Sequence, residues 1–144
     1  MENKFIVSAS PHIKTQGSCS KIMWSVIAAL IPAGVAGIFI FGLSALKVIL
    51  VAAVTAVFTE GLLQKLMRKQ LTMFDGSAII TGILLAYNLP PQVPLWLPAI
   101  GAFFAITIGK QAFGGLGFNI FNPALASRAF LMASWPNYMT HWIN

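Results

Sequence analysis

The sequence predicts an all-α integral membrane protein of about five transmembrane or half-membrane helices. Three observations carry that prediction. The chain is 58% hydrophobic and only 8% charged, against roughly 45–50% apolar and about 25% charged residues in ordinary soluble domains. Its mean hydropathy is +0.82. The apolar residues fall in long runs separated by short polar or proline-rich breaks, and six of the nine cations lie before the first run or at the end of the second.

Each segment follows in order. Residues 1–20, "MENKFIVSASPHIKTQGSCS", are polar and mildly basic, with none of the features of a cleaved leader, and read as a cytoplasmic tail before a transmembrane domain of residues 21–144. Ile22 to Gly42 is uncharged and, at 1.5 Å per residue, spans about 31 Å, enough for a bilayer core. Pro32, Gly34 and Gly37 within it imply a kink and a small-residue packing face. A second span runs from Ser44 to Lys65 and closes on Lys65, Arg68 and Lys69. If the two spans form a hairpin, these cations and Lys4, Lys14 and Lys21 share one side, which the positive-inside rule makes cytoplasmic.

The later segments are shorter. Asp75 is placed to cap a helix from Gly76 to Leu89, too short to cross a bilayer, and "PPQVP" from Pro90 to Pro94 ends it. Leu95 to Gly109 forms a fourth segment, after which Lys110 returns the chain to the cytoplasmic side. Asn122 followed by Pro123 is a helix start, with a capping side chain and then a residue with a preset φ. That fifth segment runs to about Trp135, and Trp135, Tyr138 and Trp142 resemble an aromatic belt at the opposite face. Between the fourth and fifth segments lies "FGGLGFNIFNPALASRAF", an irregular glycine-rich loop at membrane depth. Non-helical backbone is tolerated there only where it is buried in protein or lines a cavity, so the loop is a candidate site. An odd number of segments also means that a following copy of the unit would insert inverted, as in many transporter folds.

Several function classes are excluded. Nine cations spread among apolar runs mark helix flanks rather than a nucleic-acid surface. One cysteine, Cys19, forms no intrachain disulfide and no multi-cysteine metal site, so any iron–sulfur cluster belongs to a partner. "GGLGFN" lacks the third glycine of a dinucleotide fingerprint, since Ile120 stands in its place. No catalytic triad or metalloprotease motif is present, and no residue is assigned to catalysis or to a metal. Glu60 and Asp75 are the only acids beyond the tail. An ionisable group inside a membrane segment is a functional candidate by default, and Glu60 also stands close enough to Lys65 to pair with it through water near the interface. Phe118 and Phe121 suit packing or pore lining, and Arg128 a loop or partner contact.

"SPH" at Ser10 to His12, "DGSAIITGILLAYNLPPQVPLW" from Asp75 and "GKQAFGGLGFNIFNPAL" from Gly109 resemble one membrane-protein family. It comprises RnfD of the Rnf ferredoxin:NAD oxidoreductase complex and NqrB of the sodium-pumping NADH:quinone reductase. The likeness covers nearly the whole chain and is closer to the Rnf member. It implies a urea-transporter-like fold of two inverted halves, of which this chain would be the first. It further implies an inner-membrane component with its N-terminus in the cytoplasm, the other Rnf subunits (A, B, C, E and G) as partners, and electron transfer coupled to Na⁺ or H⁺ movement. Family members carry FMN on a threonine in a Ser-Gly-Ala-Thr type motif. Nothing from Met1 to Asn144 matches it, so the chain reads as the N-terminal portion of such a protein, with covalent FMN beyond it. By resemblance, Asn119, Asn122 and Leu125 match residues beside a non-covalent riboflavin, and Glu60 matches an ion-pathway glutamate. Carboxamides suit flavin chemistry because each both donates and accepts. Asn122 also reads simply as a helix cap, and Asn119 as a side chain closing its own loop. The competing function is a passive urea-carrier-like transporter or channel half, for which broken helices alone are equally good evidence.

Overall fold

The computed structural model describes residues 19–115 and 117–142. The expected tail, with Lys4, Lys14, His12 and the "SPH" motif, lies outside the described residues. Among the described residues the fold is entirely helical. Helix α1 runs Cys19–Phe41 and α2 Leu43–Leu66; both are long and apolar enough to cross a membrane. Both end within three residues of the spans expected from hydropathy alone.

Helix α2 is the centre of the fold. Its buried residues Ala45, Val48, Ala52, Ala56, Glu60 and Gln64 recur every three or four positions, with Thr59 and Gly61 buried on either side of Glu60, so one face is interior along the whole helix. Because that face is built of alanines, α3 (Ser77–Tyr87) lies against it almost backbone to backbone. A β-carbon placed on Gly82 would stand 2.6 Å from the Ala53 Cα and 2.8 Å from the Ala52 carbonyl oxygen. Helix α1, by contrast, is peripheral and has only Gly34 buried. It is held by Tyr87, whose hydroxyl donates to the Leu30 carbonyl at 2.7 Å, two residues before Pro32. Of the small-residue face read from the sequence, Gly34 packs on the Tyr87 ring, whereas a β-carbon on Gly37 would meet nothing within 4 Å.

The start of α3 differs from expectation by one residue. Gly76, not Asp75, takes the cap position in the left-handed region, at φ 87°. Asp75 acts from one step further out, its Oδ1 accepting from the Ser77 amide at 3.0 Å and the Ser77 hydroxyl at 2.8 Å.

Helix α4 (Trp96–Phe104) does not end as an α-helix. It continues as a π-helical turn, Ala105–Lys110, and then a 3₁₀ turn, Gln111–Phe113. The glycines that follow all need positive φ, at 112° for Gly114, 105° for Gly115 and 89° for Gly117. A side chain at any of them would strain the reversal. Helix α5 (Pro123–Ser134) begins as expected, with the Asn122 Oδ1 accepting from the Ala124 and Leu125 amides at 3.0 and 3.4 Å. It is tied to α4 by the Ser127 hydroxyl, which donates to the Gly101 carbonyl at 2.6 Å. A short helix α6, Pro136–Thr140, occupies the stretch read as an aromatic tail. Trp135 and Tyr138 pack edge-on against Trp96, with centroids 5.3 and 5.8 Å apart, while Trp142 stays exposed.

Candidate functional site

Three helical elements converge on Glu60. It sits on the buried face of α2, 1% exposed, and its Oε1 accepts from the Lys110 ammonium at 2.5 Å. The same oxygen accepts from the Gln64 amide at 3.1 Å and the Gln111 amide at 3.3 Å. Its other oxygen, Oε2, is buried with no hydrogen-bond partner among the described residues. Lys110, 3% exposed, also donates to the Ser77 hydroxyl at 2.6 Å. Since Ser77 donates onward to Asp75, one chain of contacts runs Glu60–Lys110–Ser77–Asp75. Gln64 extends it the other way. Its Nε2 donates to the Thr72 hydroxyl at 2.8 Å and its Oε1 accepts from the Thr72 amide at 2.8 Å, which fixes the loop between α2 and α3.

Two expectations change here. Glu60 does not pair through water with Lys65 near the interface; it is interior and bonded directly to a lysine fifty positions later. Lys110 is not a flanking cation either. The π-helical turn places it inside, against α2 and α3, where an unpaired ammonium would be costly and a carboxylate offsets that cost. π turns occur disproportionately at functional sites. Lys110, Gln64, Gln111 and Ser77 were all missed from sequence. The available signal was arithmetic: a cation ending an apolar run, in a chain whose spans hold one acid, invites that acid as its partner.

The loop lies beside this pair. A cleft of about 430 Å³ is lined by Ser77, Thr81, Lys110, Asn119, Asn122 and Pro123, with Met23 of α1 and Ile80 and Leu84 of α3 closing its walls. Asn119 and Asn122 therefore face the same space as Lys110. Asn119 closes its own loop, its Nδ2 donating to the Phe121 carbonyl at 2.9 Å, while its carbonyl oxygen has no hydrogen bond among the described residues. Asn122 spends its oxygen on the helix cap, and its amide hydrogens have no hydrogen bond among the described residues. Leu125, 52% exposed, lies in the first turn of α5 and does not line the cleft. Phe118 and Phe121 are exposed, at 73% and 63%, and Phe121 contributes to the cleft wall. Arg128 donates to the Asn88 Oδ1 at 3.3 Å, bridging α5 to the end of α3.

The cleft has a volume in the range of ligand pockets, and it presents one free acceptor, several amide donors and an ammonium among apolar walls.

Residues 6–144 match the model of the NQR2, RnfD, RnfE family. The chain is 52% identical over 141 residues to the D subunit of a proton-translocating ferredoxin:NAD(+) oxidoreductase complex from Clostridium ljungdahlii, covering 98% of this chain and 43% of the relative. It is 50% identical over 139 residues to the D subunit of an Na(+)-translocating ferredoxin:NAD(+) oxidoreductase complex from Acetobacterium woodii, covering 96% and 44%. The D subunit of an ion-translocating oxidoreductase complex from Methanosarcina acetivorans is 43% identical over 135 residues, covering 94% and 47%. The chain thus spans less than half the length of these relatives. With its family model matched along nearly all its residues, the chain belongs to the NQR2, RnfD, RnfE family.

Proposed function

We propose that this chain forms the first half of a membrane subunit in an ion-translocating ferredoxin:NAD oxidoreductase complex, in a urea-transporter-like inverted-repeat fold. In this reading the cleft holds a flavin non-covalently and Glu60 belongs to the path of the translocated cation. What supports it is the shared cleft: Lys110, bonded to Glu60, lines the same space as Asn119 and Asn122. A redox group and an ion-binding acid placed that close can influence one another electrostatically. When bound, the flavin would supply one-electron transfer; the protein would supply binding, orientation and field. Asn119 would contribute its free carbonyl oxygen, and Asn122 its amide hydrogens. A covalent FMN belongs, on this reading, to a threonine beyond these residues. The two relatives named for protons and for Na⁺ are 52% and 50% identical to this chain, so similarity does not choose the ion.

The test is flavin content. Asn119→Leu combined with Asn122→Ser, which keeps the helix cap, should release at least about tenfold less acid-extractable flavin from the purified complex, because several hydrogen bonds of about 0.5–1.5 kcal/mol each are lost. Unchanged extractable flavin would make the loop a scaffold and place the cofactor elsewhere.

The orientation follows from charge, with the complex in the bacterial inner membrane. Arg68 and the α2–α3 loop face the cytoplasm and Tyr138 the other side. A membrane-impermeant thiol reagent applied to intact cells should label a cysteine at position 138 and spare one at position 68. The reverse pattern would invert the topology.

A further inference from the structure

We propose that Lys110 is a tethered internal cation, holding one oxygen of Glu60 until the translocated monovalent cation enters at the other oxygen and displaces it. The proposal rests on the reading of Glu60 as an ion-path acid, and goes beyond it by assigning the competitor.

The geometry of the carboxylate comes first. All three donors, from Lys110, Gln64 and Gln111, converge on Oε1, while Oε2 is buried and bare. A carboxylate serving only as a structural counter-ion would be expected to use both oxygens, because an unmet buried acceptor is destabilising. One side of the group is thus left without a donor among the described residues.

Charge supplies the second step. The groups facing Glu60 from the elements packed on α2 are Lys110 and Asp75. Glu60 and Lys110 are neutral as a pair. Adding a cation to the intact pair would give that pair a net positive charge and leave Asp75 without a directly paired cation, which the interior disfavours. If Lys110 moves instead toward Asp75, two neutral pairs result: Glu60 with the arriving cation, and Lys110 with Asp75. The route already exists, because the ammonium donates to the Ser77 hydroxyl and that hydroxyl donates to the Asp75 carboxylate. Lys110 also lines the cleft, which gives the side chain room to move.

The experiment uses the whole complex in proteoliposomes, with ferredoxin-driven NAD⁺ reduction and cation uptake measured together. Uptake is titrated with NaCl at fixed pH or, where it needs no Na⁺, with pH at fixed salt. Lys110→Gln keeps hydrogen bonds but removes the competitor, so the half-saturating cation concentration should fall about tenfold or more, as expected when the competent fraction of the site rises. Lys110→Arg should raise it, since a guanidinium fork covers both carboxylate oxygens. An unchanged half-saturating concentration in either variant overturns the proposal. The reading beneath it is tested separately: wild-type uptake in Glu60→Gln would remove Glu60 from the path, whereas lost uptake there with wild-type titration in Lys110→Gln would remove only the competitor. A measurement without substitution completes the set. Acylation of Lys110 by acetic anhydride in the wild-type complex, followed by mass spectrometry, should speed up with the driving cation during turnover. A rate independent of that cation overturns displacement.

Discussion

Glu60→Leu is expected to lower the stability of the assembled complex by about 3–5 kcal/mol, the cost of leaving a buried charge without its partner. Lys110 would then be held, 3% exposed, with the Ser77 hydroxyl as its one remaining hydrogen-bond acceptor among the described residues. The Gln64 and Gln111 amides would lose the same acceptor. The double variant Glu60→Leu, Lys110→Met should recover most of the loss, because replacing a buried ion pair by apolar groups of similar volume is often neutral. Recovery should fall short by about 1 kcal/mol for each stranded glutamine amide. Thermal unfolding of the purified complex across the four members of this cycle gives the coupling directly. A Glu60→Leu midpoint equal to wild type would mean that the ammonium finds water or another anion. The cycle should also be asymmetric. Losing Lys110 leaves a carboxylate that can take up a proton and become neutral, whereas losing Glu60 leaves an ammonium that must shift past Ser77 to reach Asp75. Lys110→Gln should therefore be the milder single change.

Where the sequence was legible, local chemistry decides the structure. Hydropathy placed α1 and α2 because an uncharged run of bilayer length has few alternatives, and Asn122 capped α5 as the Asn-Pro pair implies. The cap of α3 was displaced by one residue because Gly76 adopts a left-handed φ that Asp75 would find costly, so the aspartate caps from outside. The site was only half visible. Glu60 and the two asparagines stand out as polar groups in apolar surroundings, but the residue joining them does not. Lys110 ends an apolar run, where positive-inside reasoning reads every cation as a flank. What turns it inward is the π-helical turn, and a change of helical register by one residue has no signature in hydropathy. Its partner is fifty positions earlier, so the pairing exists only once α2, α3 and the turn are packed together.

That packing depends on one glycine, and Gly82→Ala is the second change expected to have a large effect. The added β-carbon would meet the Ala53 Cα at 2.6 Å, the Ala52 carbonyl oxygen at 2.8 Å and the Ala52 carbonyl carbon at 2.9 Å. All three are main-chain atoms of α2, so no rotamer change relieves the contact and the helices must separate. Overpacking of this kind costs about 1–3 kcal/mol even where side chains can yield, and more where only backbone can. The displacement would carry functional consequences, because Ser77 and its Lys110 contact lie five residues upstream on the same short helix. The control is Gly37→Ala in α1, where an added β-carbon meets nothing within 4 Å. There the same chemical change replaces glycine by the best helix former and should stabilise by up to about 1 kcal/mol. Membrane accumulation and unfolding midpoints of the two variants should therefore move in opposite directions. If Gly82→Ala accumulated and unfolded like Gly37→Ala, the backbone-to-backbone approach of α2 and α3 would not hold, and the placement of Ser77 beneath Lys110 would fall with it.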